Sequence, residues 1–412
     1  MLKIFNKLAL AMFIFTLSSM SLAAEKEWTM LTFMNGHNNL DSYGAKDLNE
    51  METVGSTDKI NVVVQWASLG STQTKRVYVH QDNQPGIVTS PIVESLPRVD
   101  MGDYKNLIEF VRWGVMNYPA KKYFINVWNH GSGWHVNANP LFQLFKGLGL
   151  TGFEAASFSP SDISWDDLTG NFISTTQLGL AINESAKIIG HKVDIYGSDA
   201  CLMAMPEVST EMADSVHMYV GSEDTEPGPG WEYGSFLKTW SALPDMSPFY
   251  VSKALTDTYV ASYTNGPQGN LAVTFSALDL TKTPALLLAM KGLSAGLIAL
   301  PNAAKLKVKT VIGLTQAFYF SDSGDGLDFV KHLEQANIES MRPGILSSAR
   351  NALTGFIAYN KGSPSFSKAT GAAMWIPKKI STFDLYWARY QKLKFQQETQ
   401  WGNAMQSVLM AQ

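Results

Sequence analysis

Five short apolar, β-rich runs alternate with helix-periodic stretches through the N-terminal half of this chain, and that alternation limits the fold more than any other feature. The runs are Thr29 to Met34, Ile60 to Trp66, Tyr123 to Trp128, Val193 to Tyr196 and Val216 to Val220. Several are apolar enough on both faces to be buried strands of a covered sheet. Between them lie helix candidates at Ser42 to Val54, Lys105 to Asn117, Thr175 to Ile189 and Leu202 to Ala213. In the third, Leu178, Ile182, Ala186 and Ile189 recur at helical spacing, and Thr175 is placed to cap it. Such alternation predicts an α/β fold, a mostly parallel sheet covered by helices, with ligands beyond the carboxyl ends of the strands.

Composition narrows the class. The 412 residues are 45% hydrophobic and 17% charged, an apolar load that a disordered chain does not carry. A net charge of -4, with no basic run longer than two residues, excludes a polybasic nucleic-acid binder. A single cysteine, Cys201, excludes an internal disulfide and a cysteine-rich metal site.

Lys3 and Lys7, the apolar stretch Leu8 to Leu17 and the small residues of Ser21-Leu22-Ala23 read as a signal peptide over residues 1–23. The mature protein is then expected to be exported, periplasmic or secreted, with no membrane attachment after cleavage. The apolar run Ala285 to Leu300 is broken by Lys291, Gly292 and Gly296 and reads as a buried helix. Residues 24–245 are expected to form the core that carries the chemistry. Residues 246–412 form an α/β part that completes or flanks the sheet, with strands at Leu271 to Phe275 and Ala372 to Ile376. Val136 to Asn171 is a long stretch rich in Gly, Ser and Asn with Lys146 as its one basic residue, and loops of that length are usually functional or mobile.

Two of the predicted strands end in residues with chemical potential. Tyr123 to Trp128 runs into Asn129-His130-Gly131-Ser132-Gly133-Trp134, and Val193 to Tyr196 runs into Gly197-Ser198-Asp199-Ala200-Cys201. Parallel strands place both tails on one rim, bringing a thiol beside an imidazole, as nucleophilic catalysis requires. A lone cysteine in an exported chain is itself a reason to suspect a reactive thiol. The N–H groups of Gly131 and Cys201 are candidates to cradle an oxyanion, and a helix starting at Cys201 would favour the thiolate. Asp199, two residues earlier on an extended segment, faces the same side as Cys201. Ser132 lies in a Gly-Ser-Gly that lacks the rest of a nucleophile elbow. His135 is the nearest competitor to His130, while His37, His80, His191, His217 and His332 have no paired motif. Trp128, Trp134 and Trp231 read as core or pocket wall rather than a sugar platform.

A strand ending in His-Gly followed by one ending in Asp-Ala-Cys resembles the clostripain family of cysteine peptidases, within the caspase–legumain–gingipain fold group. Further matches run in order: Met34-Asn35-Gly36 to Asn39-Leu40, Asn129 to Trp134, Asp199 to Met203, Gly221 to Gly228 with Gly230-Trp231, Leu327-Asp328-Phe329, and Ala372 to Pro377. The resemblance implies a caspase-like fold and an exported endopeptidase that cleaves polypeptides after Arg or Lys through an acyl-enzyme. It makes Cys201 the nucleophile, His130 the general acid/base, Gly131 and Cys201 the backbone oxyanion donors, and Asp199 the acid of the basic-selective pocket. Glu223, Asp224 and Glu226 follow the next strand on the same rim and are candidates to add negative charge. No cofactor and no nucleic-acid partner are required, and a monomer is expected.

Some family members mature by cutting themselves after the histidine loop, where Lys146 is the available site, and some depend on calcium. The run Asp322 to Asp328 lacks the full calcium-ligand pattern. His37 stands where an acidic residue is expected. The alternatives are an inactive exported module of the same fold that binds peptide or glycan, and a serine hydrolase.

Overall fold

The computed structural model describes residues 25–135, 162–338 and 340–412, so the predicted signal segment and Lys146 lie outside the described residues. Strands β1 (Lys26–Gly36), β2 (Ile60–Ser68), β5 (Ala120–Trp128), β8 (Val193–Asp199) and β9 (Val216–Gly221) form the parallel centre of a nine-stranded sheet, and each contains one of the five predicted runs. Antiparallel strands extend both edges. Beyond β2 come β3 (Gln73–Tyr78) and β4 (Ile92–Pro97); beyond β9 come β12 (Thr274–Asp279) and β14 (Ile357–Gly362). The order is β14-β12-β9-β8-β5-β1-β2-β3-β4. The sheet is mostly parallel, and the C-terminal part contributes two strands to it.

Alternation along the central strands feeds two cores. Leu31, Phe33, Val63, Ile125 and Val127 belong to one core with helices Tyr104–Asn117, Thr175–Ile189, Thr283–Ile298 and Pro343–Phe356. Trp28, Met30, Val62, Val64 and Phe124 face helices Asp41–Glu52, Tyr233–Ala242 and Pro248–Ser262. Each large apolar side chain so enclosed contributes about 1.5–3 kcal/mol relative to exposure. Burial on both faces also explains why the central strands lack a clean polar face. Among the described residues no helix is long and apolar enough to cross a membrane.

The structure corrects several expectations. Thr175 is the first residue of its helix; the cap is Ser174, whose hydroxyl takes the Gln177 N–H while the Gln177 side chain returns to the Ser174 N–H. Two short strands, β6 (Ile163–Asp166) and β7 (Asn171–Ile173), pair as a hairpin at the end of the stretch read as a loop. Thr264–Gly266 (β10) and Gly269–Asn270 (β11) form a small separate ribbon. The strand expected at Leu271 to Phe275 lies later, as β12. Ala373–Trp375 (β15) pairs with Ser323–Asp325 (β13) outside the main sheet.

The helix expected over Leu202 to Ala213 does not exist. Leu202 turns with φ 66°, and a four-residue helix, Pro206–Ser209, follows only at the proline, then a 3₁₀ turn at Thr210–Met212. Pro206 suits a first helical turn but disfavours helix in the residue before it.

Candidate active site

The two central tails leave the sheet side by side. In the parallel register Trp128 pairs with Asp199, and the Asn129 N–H donates to the Asp199 carbonyl at 3.1 Å. His130 and Cys201 are the next residues but one, on strands spaced about 4.8 Å apart. A Cβ on Gly131 would stand 2.5 Å from the Cys201 carbonyl oxygen and 3.0 Å from the Ala200 Cβ, so only glycine lets the two loops close. Neither the Gly131 nor the Cys201 N–H donates to another described residue.

The loop at Cys201 is laced to the turn after β9. Leu202 N–H donates to the Asp224 carbonyl at 3.0 Å and Ala204 N–H to the Ser222 carbonyl at 2.9 Å. The Glu226 N–H meets Cys201 Sγ at 3.2 Å. Support for a thiolate therefore comes from this backbone donor and the N–H of Cys201 itself, and not from a helix N-terminus, because no helix begins at Cys201. Burial pushes the half-buried thiol up to about 11, with Asp224 and Asp199 adding to the rise and the Glu226 N–H opposing it. Burial draws the His130 imidazole down to about 4. Its Nε2 lies 2.6 Å from Asn39 Oδ1, and no hydrogen bond links His130 to Cys201. The substrate-free pair is thus a neutral thiol beside a neutral imidazole.

Behind the thiol lies a group of buried acids. Asp199 Oδ2 accepts the Tyr233 hydroxyl at 2.7 Å and the Trp231 N–H at 3.5 Å. Burial lifts Asp199 to about 7, against those two donors. Glu226 lies against Asp199 and the Trp231 side chain without a close hydrogen bond to either of its oxygens, and burial and then Asp199 hold it well above the usual carboxylate range. Asp47 accepts Trp128 Nε1 at 2.6 Å and is raised well above its ordinary value by burial, Asp199 and Glu50. Glu50 accepts the Tyr233 N–H at 3.1 Å; burial and Glu232 take it to about 7. Among the described residues no Lys or Arg forms an ion pair with any of these four acids.

Of the acids nominated from sequence, Asp199 and Glu226 meet beside Cys201, whereas Glu223 and Asp224 face the C-terminal part. Glu223 Oε1 takes the Gly371 N–H at 3.1 Å; Asp224 Oδ1 takes the Tyr319 N–H at 3.0 Å. Asp47 and Glu50 escaped the sequence reading. Their signal was an acid on the core face of an amphipathic helix, since Asp47 shares that face with Gly44, Leu48 and Met51.

The competing residues are spent on structure. His135 is buried, its ring stacked 4.3 Å from Trp134 and 4.6 Å from Phe320, near Asp322. The Ser132 hydroxyl donates to the His135 carbonyl at 2.5 Å, which removes the serine reading. Buried His37 holds Asp166 at 2.8 Å, tying the first loop to β6. Trp134 and Trp231 are fully enclosed and Trp128 nearly so. In the run considered for calcium, Asp322 accepts Trp375 Nε1, Asp325 caps helix Gly326–Gln335, and Asp328 takes the Gln316 N–H. Among the described residues no three His, Cys, Asp or Glu side chains converge as a metal site.

The sequence matches the profile of the clostripain family over residues 32–407. It is 23% identical over 423 aligned residues to clostripain of Hathewaya histolytica, covering 86% of this chain and 76% of that protein. The fold resembles a secreted C11 cysteine protease from Bacteroides thetaiotaomicron, solved with an irreversible peptide inhibitor. That likeness has a TM-score of 0.67 at 17% identity and covers 91% of this chain and 99% of the other. An inactive zymogen C11 protease from Parabacteroides distasonis matches with TM-score 0.65 at 15% identity, over 91% of this chain and 98% of its own.

Proposed function

The chain belongs to the clostripain family and is a cysteine endopeptidase, and from that premise we propose that it is exported and cleaves after Arg or Lys, with Cys201 as nucleophile and His130 as general acid/base. The observation that carries the specificity is the acid group beside Cys201, four enclosed or half-buried carboxyls of which none, among the described residues, is ion-paired to a Lys or Arg, Glu226 having no close hydrogen bond to either oxygen. A substrate guanidinium or ammonium supplies the missing charge, and a charge-assisted hydrogen bond there is worth about 1.5–3 kcal/mol. The name of the curated relative, clostripain, supports the same choice.

In the reaction Cys201 Sγ bonds to the scissile carbonyl carbon as its proton passes to His130. The carbonyl oxygen takes the negative charge and is met by the N–H groups of Gly131 and Cys201. Collapse of that intermediate expels the amine, which leaves with the proton from His130. Water then attacks the acyl-enzyme, His130 accepting its proton, and releases the acid and the thiol. The cation in the pocket also offsets the acids that disfavour a thiolate, so binding of a basic residue and activation of the thiol reinforce each other.

Export is supported by the signal-like residues 1–23 and by the secreted relative. A fluorogenic panel with Arg, Lys, Asp, Asn or Leu before the scissile bond tests the specificity: the first two should be cleaved fastest, and equal cleavage of the Leu peptide would refute the basic pocket. Iodoacetamide, which alkylates the single thiol, should abolish turnover. Activity retained by Cys201→Ala would remove the nucleophile assignment.

A further inference from the structure

The first loop of the chain carries a side chain that the reaction scheme has not used. Asn39 is exposed, and its one side-chain hydrogen bond among the described residues runs from its Oδ1 to His130 Nε2 at 2.6 Å. That distance is short for an N–H···O bond, whose usual value is about 2.9–3.0 Å. An amide oxygen only accepts, so the ring nitrogen facing it carries the proton. In neutral imidazole this leaves Nδ1 with the lone pair; in imidazolium the same bond persists and becomes charge-assisted. The contact thus favours one tautomer, survives proton transfer, and strengthens in the charged state that forms as the thiol attacks.

The neighbours of Asn39 hold it in place. Buried Asn38 donates through Nδ2 to the Trp165 carbonyl at 2.8 Å and accepts the Leu40 N–H at 3.0 Å. Buried Asn35 accepts the His37 N–H at 3.0 Å, and the Asp41 N–H closes the turn on the Asn38 carbonyl at 3.1 Å. The loop is therefore fixed by its buried residues, while Asn39 is exposed and its side chain, among the described residues, hydrogen-bonds only His130.

We propose that Asn39 is a positioning residue for His130, holding the proton on Nε2 so that Nδ1 exchanges protons with Cys201 and with the departing amine. This rests on the role given to His130 above. A neutral amide suits the task, since it orients the ring without holding the charged form as a carboxylate would.

The test compares Asn39→Leu, Asn39→Asp and His130→Ala on an Arg or Lys peptide, with kcat, KM, the pH profile and the melting temperature measured for each. Asn39→Leu should lower kcat at least about tenfold with KM and melting temperature little changed. Asn39→Asp keeps an acceptor, so it should retain more activity than the Leu variant, with the acid limb of its profile moved to higher pH. Wild-type kcat in Asn39→Leu would overturn the inference while leaving the His130 assignment intact. A loss common to both Asn39 variants, accompanied by a lower melting temperature, would overturn it too by showing a structural role. Activity in His130→Ala would remove the underlying assignment, and the inference with it.

Discussion

Two sets of buried acids stand on opposite sides of one turn, and they differ in what their oxygens meet. Toward the C-terminal part, Glu223 and Asp325 lie against each other; Gly371, Thr370 and Asp328 supply donors. Toward Cys201, Asp199 rests on the Tyr233 hydroxyl and neither oxygen of Glu226 has a close donor, whereas in the first set only Glu223 Oε2 lacks one. Both sets are pushed up by burial, and among the described residues neither forms an ion pair with a Lys or Arg. The first joins the turn after β9 to β13 and the segment before β15. The second is the set to which the proposed function assigns the basic residue of a substrate. Charge in a motif thus says little about role until the partners of each oxygen are known.

The sharpest test of this contrast is Asp199→Asn. It should reduce kcat/KM on Arg and Lys peptides about ten- to a hundredfold, from a lost interaction of roughly 1.5–3 kcal/mol. A neutral peptide should lose much less. Equal losses on all peptides with an unchanged melting curve would mean that Asp199 acts on the thiol or histidine, leaving the basic pocket to Glu226 and its neighbours.

The other acid set should respond in the opposite way. Glu223→Ala leaves the Gly371 N–H buried without its acceptor, at a cost of about 1–3 kcal/mol. Urea unfolding should show that loss, while the surviving folded enzyme keeps its preference among peptides. A selective loss on basic peptides would place Glu223 in the pocket after all.

The pH profile separates the groups without mutation. Asp199 is held near 7, above its ordinary value, so it carries a proton below that pH and its charge appears above it. In kcat/KM, which reports the free enzyme, the advantage of an Arg peptide over a Leu peptide should grow as pH rises through about 7. His130, held near 4, loses its capacity to accept a proton only as pH falls through that value, and this limb should be common to both peptides. A constant Arg-to-Leu ratio from pH 5 to about 9 would contradict the titration assigned to Asp199.

The smallest effect is expected at Lys146. If a cut after the histidine loop is needed, it falls there, and intact mass shows it. An uncut, fully active Lys146→Ala protein would show that this stretch is no activation switch.

His130 and Cys201 were legible because each follows a buried strand whose apolar run is a local signal, and parallel pairing carries both tails to one rim. The antiparallel edges β3, β4 and β14 were not legible: exposed or half-buried strands lose the all-apolar signature that marked the centre. The segment after Cys201 misled because Leu202 to Ala213 has helix-compatible composition. Its conformation follows instead from hydrogen bonds to Ser222 and Asp224, residues distant in the chain, with Pro206 delaying the helix.

Local order along the chain was enough to specify strand succession, the arrival of Cys201 and His130 at one rim, and the family, since these depend on periodicity and short motifs. Which acids gather beside Cys201, why the thiol and imidazole rest neutral, and what meets His130 Nε2 depended on tertiary packing. Hydrogen-bond partners and desolvation are set by residues far apart in sequence: Asp47 and Glu50 on one helix, Tyr233 on another, and Asn39 on a loop across the rim. Only folding brings them within reach of one another.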